Sequence, residues 1–287
     1  MMSNVIACID GSRITLAVCD YAAWASRRLD APLDFLHVLG RSEYPVPADL
    51  SGNLGLGSRE HLLQELATLD EQRSRVALEQ GRLMLDAAKA RAVADGVPNP
   101  TSRQRHGELV DTLLEFQDEI RLLVMGRQGE QGEQGDSAGE HIGSHLENVV
   151  RTLHRPILVI PADYTEPQRI LIAFDGSATT RKAVDMVARS PLLRGLHCHV
   201  VMVGEDKADS RESLDWARAH LEAAGFDVTA EILPGEVEAA LCAYRDLHAI
   251  DLIVMGAYGH SRIREFLIGS TTTKLICQSK VPLLLLR

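Results

Sequence analysis

This chain predicts two tandem α/β units, each a doubly wound, five-stranded parallel sheet, and three observations carry the prediction. The segment Val5-Ile6-Ala7-Cys8-Ile9-Asp10-Gly11-Ser12 returns as Ile170-Leu171-Ile172-Ala173-Phe174-Asp175-Gly176-Ser177, and self-similarity on that scale marks a duplicated unit. The apolar runs are continuous rather than alternating, as in strands covered on both faces, and amphipathic stretches separate them. The length of 287 residues suits two units of ~150 residues each.

Each unit opens on an apolar strand that ends in Asp-Gly-Ser and runs into an amphipathic helix. A second strand follows at Leu33 to Leu39 and at Cys198 to Val203, and the interval from Asp10 to Val38 equals that from Asp175 to Val203, 28 residues. The first unit then carries an insertion. A Pro/Gly-rich loop, Arg41 to Ser58, leads into Glu60 to Ala94, where Leu62, Leu63, Leu66, Leu69, Val76, Leu83 and Met84 recur at helical spacing. That is a long amphipathic helix or a pair of helices. Its apolar stripe is expected to face the protein's own core, and a partner-binding arm is the other reading.

The correspondence then resumes. Gly107-Glu108 matches Gly235-Glu236, Leu123-Val124-Met125-Gly126 matches Ile253-Val254-Met255-Gly256, and Gly143-Ser144 matches Gly269-Ser270. Pro156 to Ile160 matches Pro282 to Leu286, and Trp216 reads as a helix residue covering the sheet. Each half therefore reads β-α-β-α-β-α-β-α-β. The expected units are residues 1–161, with the insertion at about 41–94, and residues 167–287.

The candidate site lies at strand ends of the second half. Gly256-x2-Gly259-x9-Gly269-Ser270 directly follows the apolar run Leu252 to Met255. Glycines let the backbone approach a ligand and adopt positive φ, so that successive N–H groups point at phosphate oxygens. Thr271 to Cys277 reads as a helix whose first amides add positive potential there. A Walker A loop is absent because Lys274 is misplaced for it, and no Gly-x-Gly-x2-Gly follows the first strand. In parallel sheets ligands bind beyond the carboxyl ends of the strands, where the order reverses, so Asp175, Val203 and Gly256 are expected to share one pocket. In the first half thirteen residues separate Gly129 from Gly143, against nine in the second, and they include Glu130, Glu133 and Asp136. Carboxylates facing a phosphate would repel it.

Composition excludes other classes. A net charge of −10 and a pI near 5.6 argue against nucleic-acid binding driven by phosphate neutralisation. The chain shows no basic leader and no apolar stretch of membrane length, so a cytoplasmic protein is expected. Five scattered cysteines without CxxC spacing read as buried thiols, and His141 with His145, or His197 with His199, lack a third ligand, so no metal site is expected. Asp111, Glu115, Asp118 and Glu119 read as a solvated helix face. No nucleophile elbow or triad spacing appears, so no catalytic residue is assigned.

These features together resemble the universal stress protein family in tandem form. The two Asp-Gly-Ser strand ends, the two Val-Met-Gly-x2-Gly segments and the second-half glycine spacing carry the resemblance, which covers nearly the whole chain outside the insertion. It implies an adenine nucleotide alpha hydrolase-like sheet in the order 3-2-1-4-5 in each half. It also implies ATP, or ADP or AMP, across the first and fourth strand ends, with Mg²⁺ as a candidate companion. By position, Asp175, in its Gly176-Ser177 turn, would meet the ribose or adenine edge, and the backbone at Val203 would recognise adenine. Gly256, Gly259, His260, Gly269, Ser270 and Thr271 would surround ribose and phosphates. Arg262 stands where family loops often carry a glycine. Asp10, Val38, Gly126, Gly129, Gly143 and Ser144 hold the matching places of a degenerate first site. The resemblance further implies that Ile157 to Ile160 and Leu283 to Leu286 pair the halves into a pseudo-dimer, itself open to forming a homodimer with or without an unknown protein partner. The function implied is an ATP-binding regulator of the stress response. A slow ATPase or autophosphorylating enzyme, and a nucleotide-free scaffold, are the alternatives.

Overall fold

Strands that are apolar along their whole length must be covered on both faces, and the chain achieves this in a single sheet. The computed structural model describes residues 3–40, 56–127, 143–161, 163–256, 274–276 and 278–287, with backbone alone for 56–63 and 144. The strands are β1 (Asn4–Cys8), β2 (Leu33–Leu39), β3 (Thr101–His106), β4 (Ile120–Gly126), β5 (Ile157–Ile160), β6 (Arg169–Ala173), β7 (His197–Val203), β8 (Asp227–Leu233), β9 (Leu252–Gly256) and β10 (Leu283–Leu286). They lie in the order β3-β2-β1-β4-β5-β10-β9-β6-β7-β8. The order 3-2-1-4-5 thus occurs twice, back to back. Neighbours within each half run parallel, whereas β5 and β10 pair antiparallel, with Leu284 opposite Leu158.

Helices cover both faces. On one lie α1 (Thr15–Leu29), α2 (Leu56–Ala94), α5 (Ala178–Arg189) and α6 (Ala208–Ala223); on the other lie α3 (Leu109–Glu115), α4 (Ser144–Thr152) and α7 (Val237–His248). Alternation along the two central strands feeds both layers. Leu158, Ile160, Leu284 and Leu286 join the α1/α5 core, while Ile157, Val159, Leu283 and Leu285 join the α4/α7 core. Full burial of such a side chain stabilises by about 1.5–3 kcal/mol, so these eight residues fasten the halves more firmly than any polar contact at the seam.

Arginines finish the seam at its ends. Arg127 donates through Nη1 to the Ser279 carbonyl at 3.0 Å, and Arg287 reaches the Arg151 carbonyl at 3.1 Å. Arg28 donates to the carbonyls of Leu192, at 2.9 Å, and of Arg194.

The described part of the insertion forms one helix, α2, of 39 residues. Its placement corrects the expectation that the apolar stripe faces the core. Gly81, Leu85, Ala88 and Ala92 are buried, but Leu69, Val76 and Leu83 are 49%, 65% and 57% exposed. The cause is length: at 1.5 Å per residue the helix spans about 58 Å, roughly three times a typical strand, so only its C-terminal part meets the sheet. Gln104 Nε2 donates to the Leu78 carbonyl at 3.3 Å, and the approach is closest at Gly81, where a Cβ would lie 2.2 Å from Gln104 Nε2 and 2.7 Å from His37 Cδ2. His37 cannot easily yield, since it is buried and its Nδ1 bonds the Ile9 carbonyl at 2.9 Å.

A histidine cluster lies between β7, β8 and α7. Tyr244 Oη donates to Glu231 Oε1 at 3.2 Å, so its other contact, with Nδ1 of buried His199 at 3.0 Å, is a bond donated by the imidazole. The rings of His197 and His248 lie 4.6 and 5.4 Å from that of His199. Burial holds the His199 pKa below its ordinary value of 6.5, helped by His197, His248 and Arg169 and opposed by Glu231.

Two measurements test this account. Gly81→Val should lower stability to urea by about 1–3 kcal/mol through overpacking, while Leu69→Ser should stay within about 0.5 kcal/mol. The folded state resists protonating His199, so its contribution is complete above pH 6.5 and declines as pH falls below that value. His199→Gln should therefore flatten the fall in urea midpoint between pH 7 and pH 5; unchanged slopes would assign the pH dependence elsewhere.

Candidate functional site

The geometry of the site starts with strand order. In the second half β6 lies between β7 and β9, with Ala173 beside Val201 and Ile172 beside Val254. The chain leaves β6 toward β7 and β8 on one side, while β9 and β10 lie on the other, so the carboxyl end of β6 is the switch point of this half. Asp175, Val203 and Gly256 all lie at that edge.

The Asp-Gly-Ser turn holds its aspartate firmly. Asp175 Oδ1 accepts from the Ser177 amide at 2.9 Å and from Thr180 Oγ1 at 2.7 Å. Gly176 has φ +76°, which favours glycine, and Ser177 caps α5 by accepting the Thr180 amide at 3.2 Å. Asp175 itself is exposed.

The first half repeats the arrangement. Asp10 Oδ1 accepts from the Ser12 amide at 3.1 Å, Gly11 has φ +80°, and of the strands on either side β4 ends at Gly126 and β2 ends one residue after Val38. Asp10 is half-buried. Gly143 precedes α4, and its amide donates to the Arg127 carbonyl at 3.3 Å, so the residues flanking the intervening segment meet at its root. Gly129, Gly259, His260, Gly269, Ser270 and Thr271 lie outside the described residues, as do Glu130, Glu133, Asp136, His141 and Cys277. Ser144 is placed by its backbone at the first turn of α4.

Surroundings that sequence spacing did not reveal separate the two turns. In the second half Arg181 donates to the Gly176 carbonyl at 3.2 Å and to Ser213 Oγ at 3.0 Å, with its guanidinium 4.5 Å over the Trp216 ring. Trp216 stacks in turn on Phe174, 6.3 Å between centroids, so it lies under the site as well as over the sheet. Counting from the aspartates, the equivalent of Arg181 is Leu16, which is exposed, while Arg13 follows the first turn directly and Ala178 the second. Alignment of the two halves would have found this exchange. In the first half α2 supplies the cover: a Cβ on Gly11 would lie 3.5 Å from Met84 Sδ, where one on Gly176 would lie 3.4 Å from Ser213 Oγ. Arg127, next to Gly126, is drawn across the seam to Ser279, whereas Gly256 is followed by Ala257.

Other candidates can be placed as well. Cys8, Cys19, Cys198 and Cys242 are free thiols, and burial pushes the first three up to about 12, too high for a reactive thiolate at neutral pH. Glu119 and Asp118 are more than a solvated face, since they pair with Arg103 at 2.7 Å and Arg155 at 3.1 Å. Among the described residues no group of three or more His, Cys, Asp or Glu is arranged to hold a metal ion, and no helix is long and apolar enough to cross a membrane.

Comparison with known proteins agrees with this architecture. A sequence model of the Universal stress protein family matches residues 1–161 and 199–287. The chain is 34% identical over 290 residues to the universal stress protein Slr1230 of Synechocystis, with all of both chains covered. Its fold is similar to that of a universal stress protein crystal structure from Archaeoglobus fulgidus, at TM-score 0.70 and 19% identity, covering 99% of this chain and 98% of that one. A Pseudomonas aeruginosa crystal structure, titled a putative universal stress protein, gives TM-score 0.63 at 13% identity and covers 99% and 93% of the two chains.

Proposed function

We infer that this chain, which belongs to the universal stress protein family, is an ATP-binding regulator whose second half holds the nucleotide at the switch point of its sheet. One observation carries the reading: Val203 and Gly256 end the strands on either side of β6, Asp175 follows β6 at the same edge, and Gly256 opens the uninterrupted spacing Gly-x2-Gly-x9-Gly-Ser. The turn fits the task because its hydrogen bonds fix Asp175 before any ligand arrives.

In this reading the Asp175 carboxylate accepts from ribose hydroxyls or the adenine amine, and the Val203 backbone reads the adenine edge. Gly176 and Ser177 hold the turn. Gly256, Gly259, His260, Gly269, Ser270 and Thr271 surround ribose and phosphates with backbone donors and hydroxyls. ADP and AMP would share the adenosine contacts, and Mg²⁺ would accompany the phosphates. Nucleotide occupancy then alters the shape or the contacts of the second half, which makes the protein a regulator rather than a catalyst.

The first half is the weaker site. Its turn is built alike around Asp10, but Arg127 at the root of its loop is committed across the seam, and the loop sequence gains three carboxylates.

Calorimetry on the full chain tests the assignment. Gly259→Val and Gly269→Val should each abolish ATP binding with the fold intact, because a β-branched side chain fills phosphate space and disfavours positive φ. Asp175→Ala should weaken binding by about 1–3 kcal/mol, the cost of an unpaired buried partner, whereas Asp10→Ala should change it little. Equal losses from the two alanine variants would mean that the halves share the work.

Stoichiometry gives a separate check: one ATP per chain without Mg²⁺. Two equivalent metal-free sites would overturn the assignment of the first half, and a second site seen only with Mg²⁺ would make its carboxylates metal ligands.

A further inference from the structure

A cavity of about 330 Å³ opens where the halves meet, on the face that carries α1 and α5. Leu122 of β4, Leu284 and Leu286 of β10 and Met186 of α5 form apolar wall, and Arg121 and Arg189 stand among them.

Internal symmetry explains why this place is open. Tyr21 and Met186 each stand eleven residues after the aspartate that follows the first strand of their half, and Trp24 and Arg189 each fourteen. Asp251 and Arg121 each stand five residues before the glycine that ends the fourth strand. The cavity side therefore carries Met186, Arg189 and Arg121 where the opposite side carries Tyr21, Trp24 and Asp251.

That opposite side is filled. Tyr21 and Trp24 are buried, and the segment joining the halves lies against Tyr21 and Asp251. Tyr21 Oη donates to the Thr165 carbonyl at 3.0 Å, and the rings of Tyr21 and Tyr164 meet edge to face at 4.8 Å. Asp251 Oδ2 accepts the amides of Gln168 and Arg169 at 3.0 and 2.9 Å. A tandem chain has one joining segment, so one of the two equivalent places receives it and the other does not.

The open place has also reversed its charge. Where Asp251 accepts hydrogen bonds, Arg121 can only donate them. Its Nη1 is anchored on the Leu29 carbonyl at 3.0 Å, and among the described residues no carboxylate forms an ion pair with Arg121 or Arg189. Apolar walls with two arginines among the lining residues suit a ligand that has an apolar body and an anionic end.

We propose that this cavity binds a medium-chain carboxylate, with the acyl chain on Leu122, Met186, Leu284 and Leu286 and the carboxylate on Arg121, supported by Arg189. An apolar cavity of roughly 150 Å³ holds benzene, and small-molecule pockets begin near roughly 300 Å³, so a chain of roughly eight to ten carbons fits the space. The site is separate from the nucleotide edge residues and requires no nucleotide.

Calorimetric titration of the nucleotide-free full chain with decanoate, and with 1-decanol as its uncharged counterpart, tests the proposal. Decanoate should saturate at one per chain. Met186→Trp, which restores an aromatic ring at the place of Tyr21, should lower affinity for both ligands at least about tenfold. Arg121→Gln should weaken decanoate about tenfold and leave decanol within about twofold. Absence of saturable decanoate binding would overturn the proposal, as would wild-type decanoate affinity in a Met186→Trp protein that melts like the parent. If that variant melts differently, the Arg121→Gln contrast decides: equal loss for acid and alcohol overturns the carboxylate assignment.

Discussion

The antiparallel pairing of β5 with β10 is the constraint on which the rest of the molecule depends. Each is a four-residue strand buried throughout, and each would be an apolar sheet edge if its half stood alone. Such an edge invites association with whatever strand comes near. Pairing them inside one chain removes both edges, joins two five-stranded sheets and merges their cores on both faces. Because the pairing is antiparallel, the two switch points come to opposite edges of the joined sheet, and neither half obstructs the other's strand ends.

Duplication followed by fusion also explains where the halves differ. A symmetric pair of units offers every seam position twice, but the chain crosses between the units once. The joining segment occupies one position, against Tyr21 and Asp251, and the equivalent position is free to change its charge. The insertion breaks the symmetry again. Helix α2 meets the first turn through Met84, whereas α6 meets the second through Ser213, so equivalent turns acquire different covers.

Much of this was legible in the sequence, since local signals determine it. Asp-Gly-Ser needs a tight turn with positive φ at the glycine, and both turns form with the same aspartate-to-amide bond. Continuous apolar runs gave the buried parallel strands and the twofold repeat. What stayed hidden depends on distances between elements. Helical spacing in α2 shows which side chains share a stripe, but not how far the helix outruns the sheet, so the exposure of Leu69 and Val76 was unreadable. Arg181 over Trp216 joins two helices across the sheet face, and Arg127 joins two halves; neither has a signature within its own segment.

The asymmetry of the two candidate sites is best argued from the relative size of two effects. The first-half loop has four more residues between its glycines than the second, thirteen against nine. Closing the longer loop costs only about 0.3 kcal/mol more, by the logarithmic dependence of closure entropy on length. The bond from the Gly143 amide to the Arg127 carbonyl holds that closure at its root. Charge acts on a larger scale. A carboxylate brought within about 6 Å of one phosphate charge costs about 3 kcal/mol at an effective dielectric of about 20, and this loop sequence contains four, Glu130, Glu133, Asp136 and Glu140, against Glu265 alone in the second. Even with partial screening, that term exceeds loop length several-fold. In the reading proposed above, the composition of the loop, rather than its size, therefore adds to the differences at Arg127 and Arg181 in setting the two halves apart.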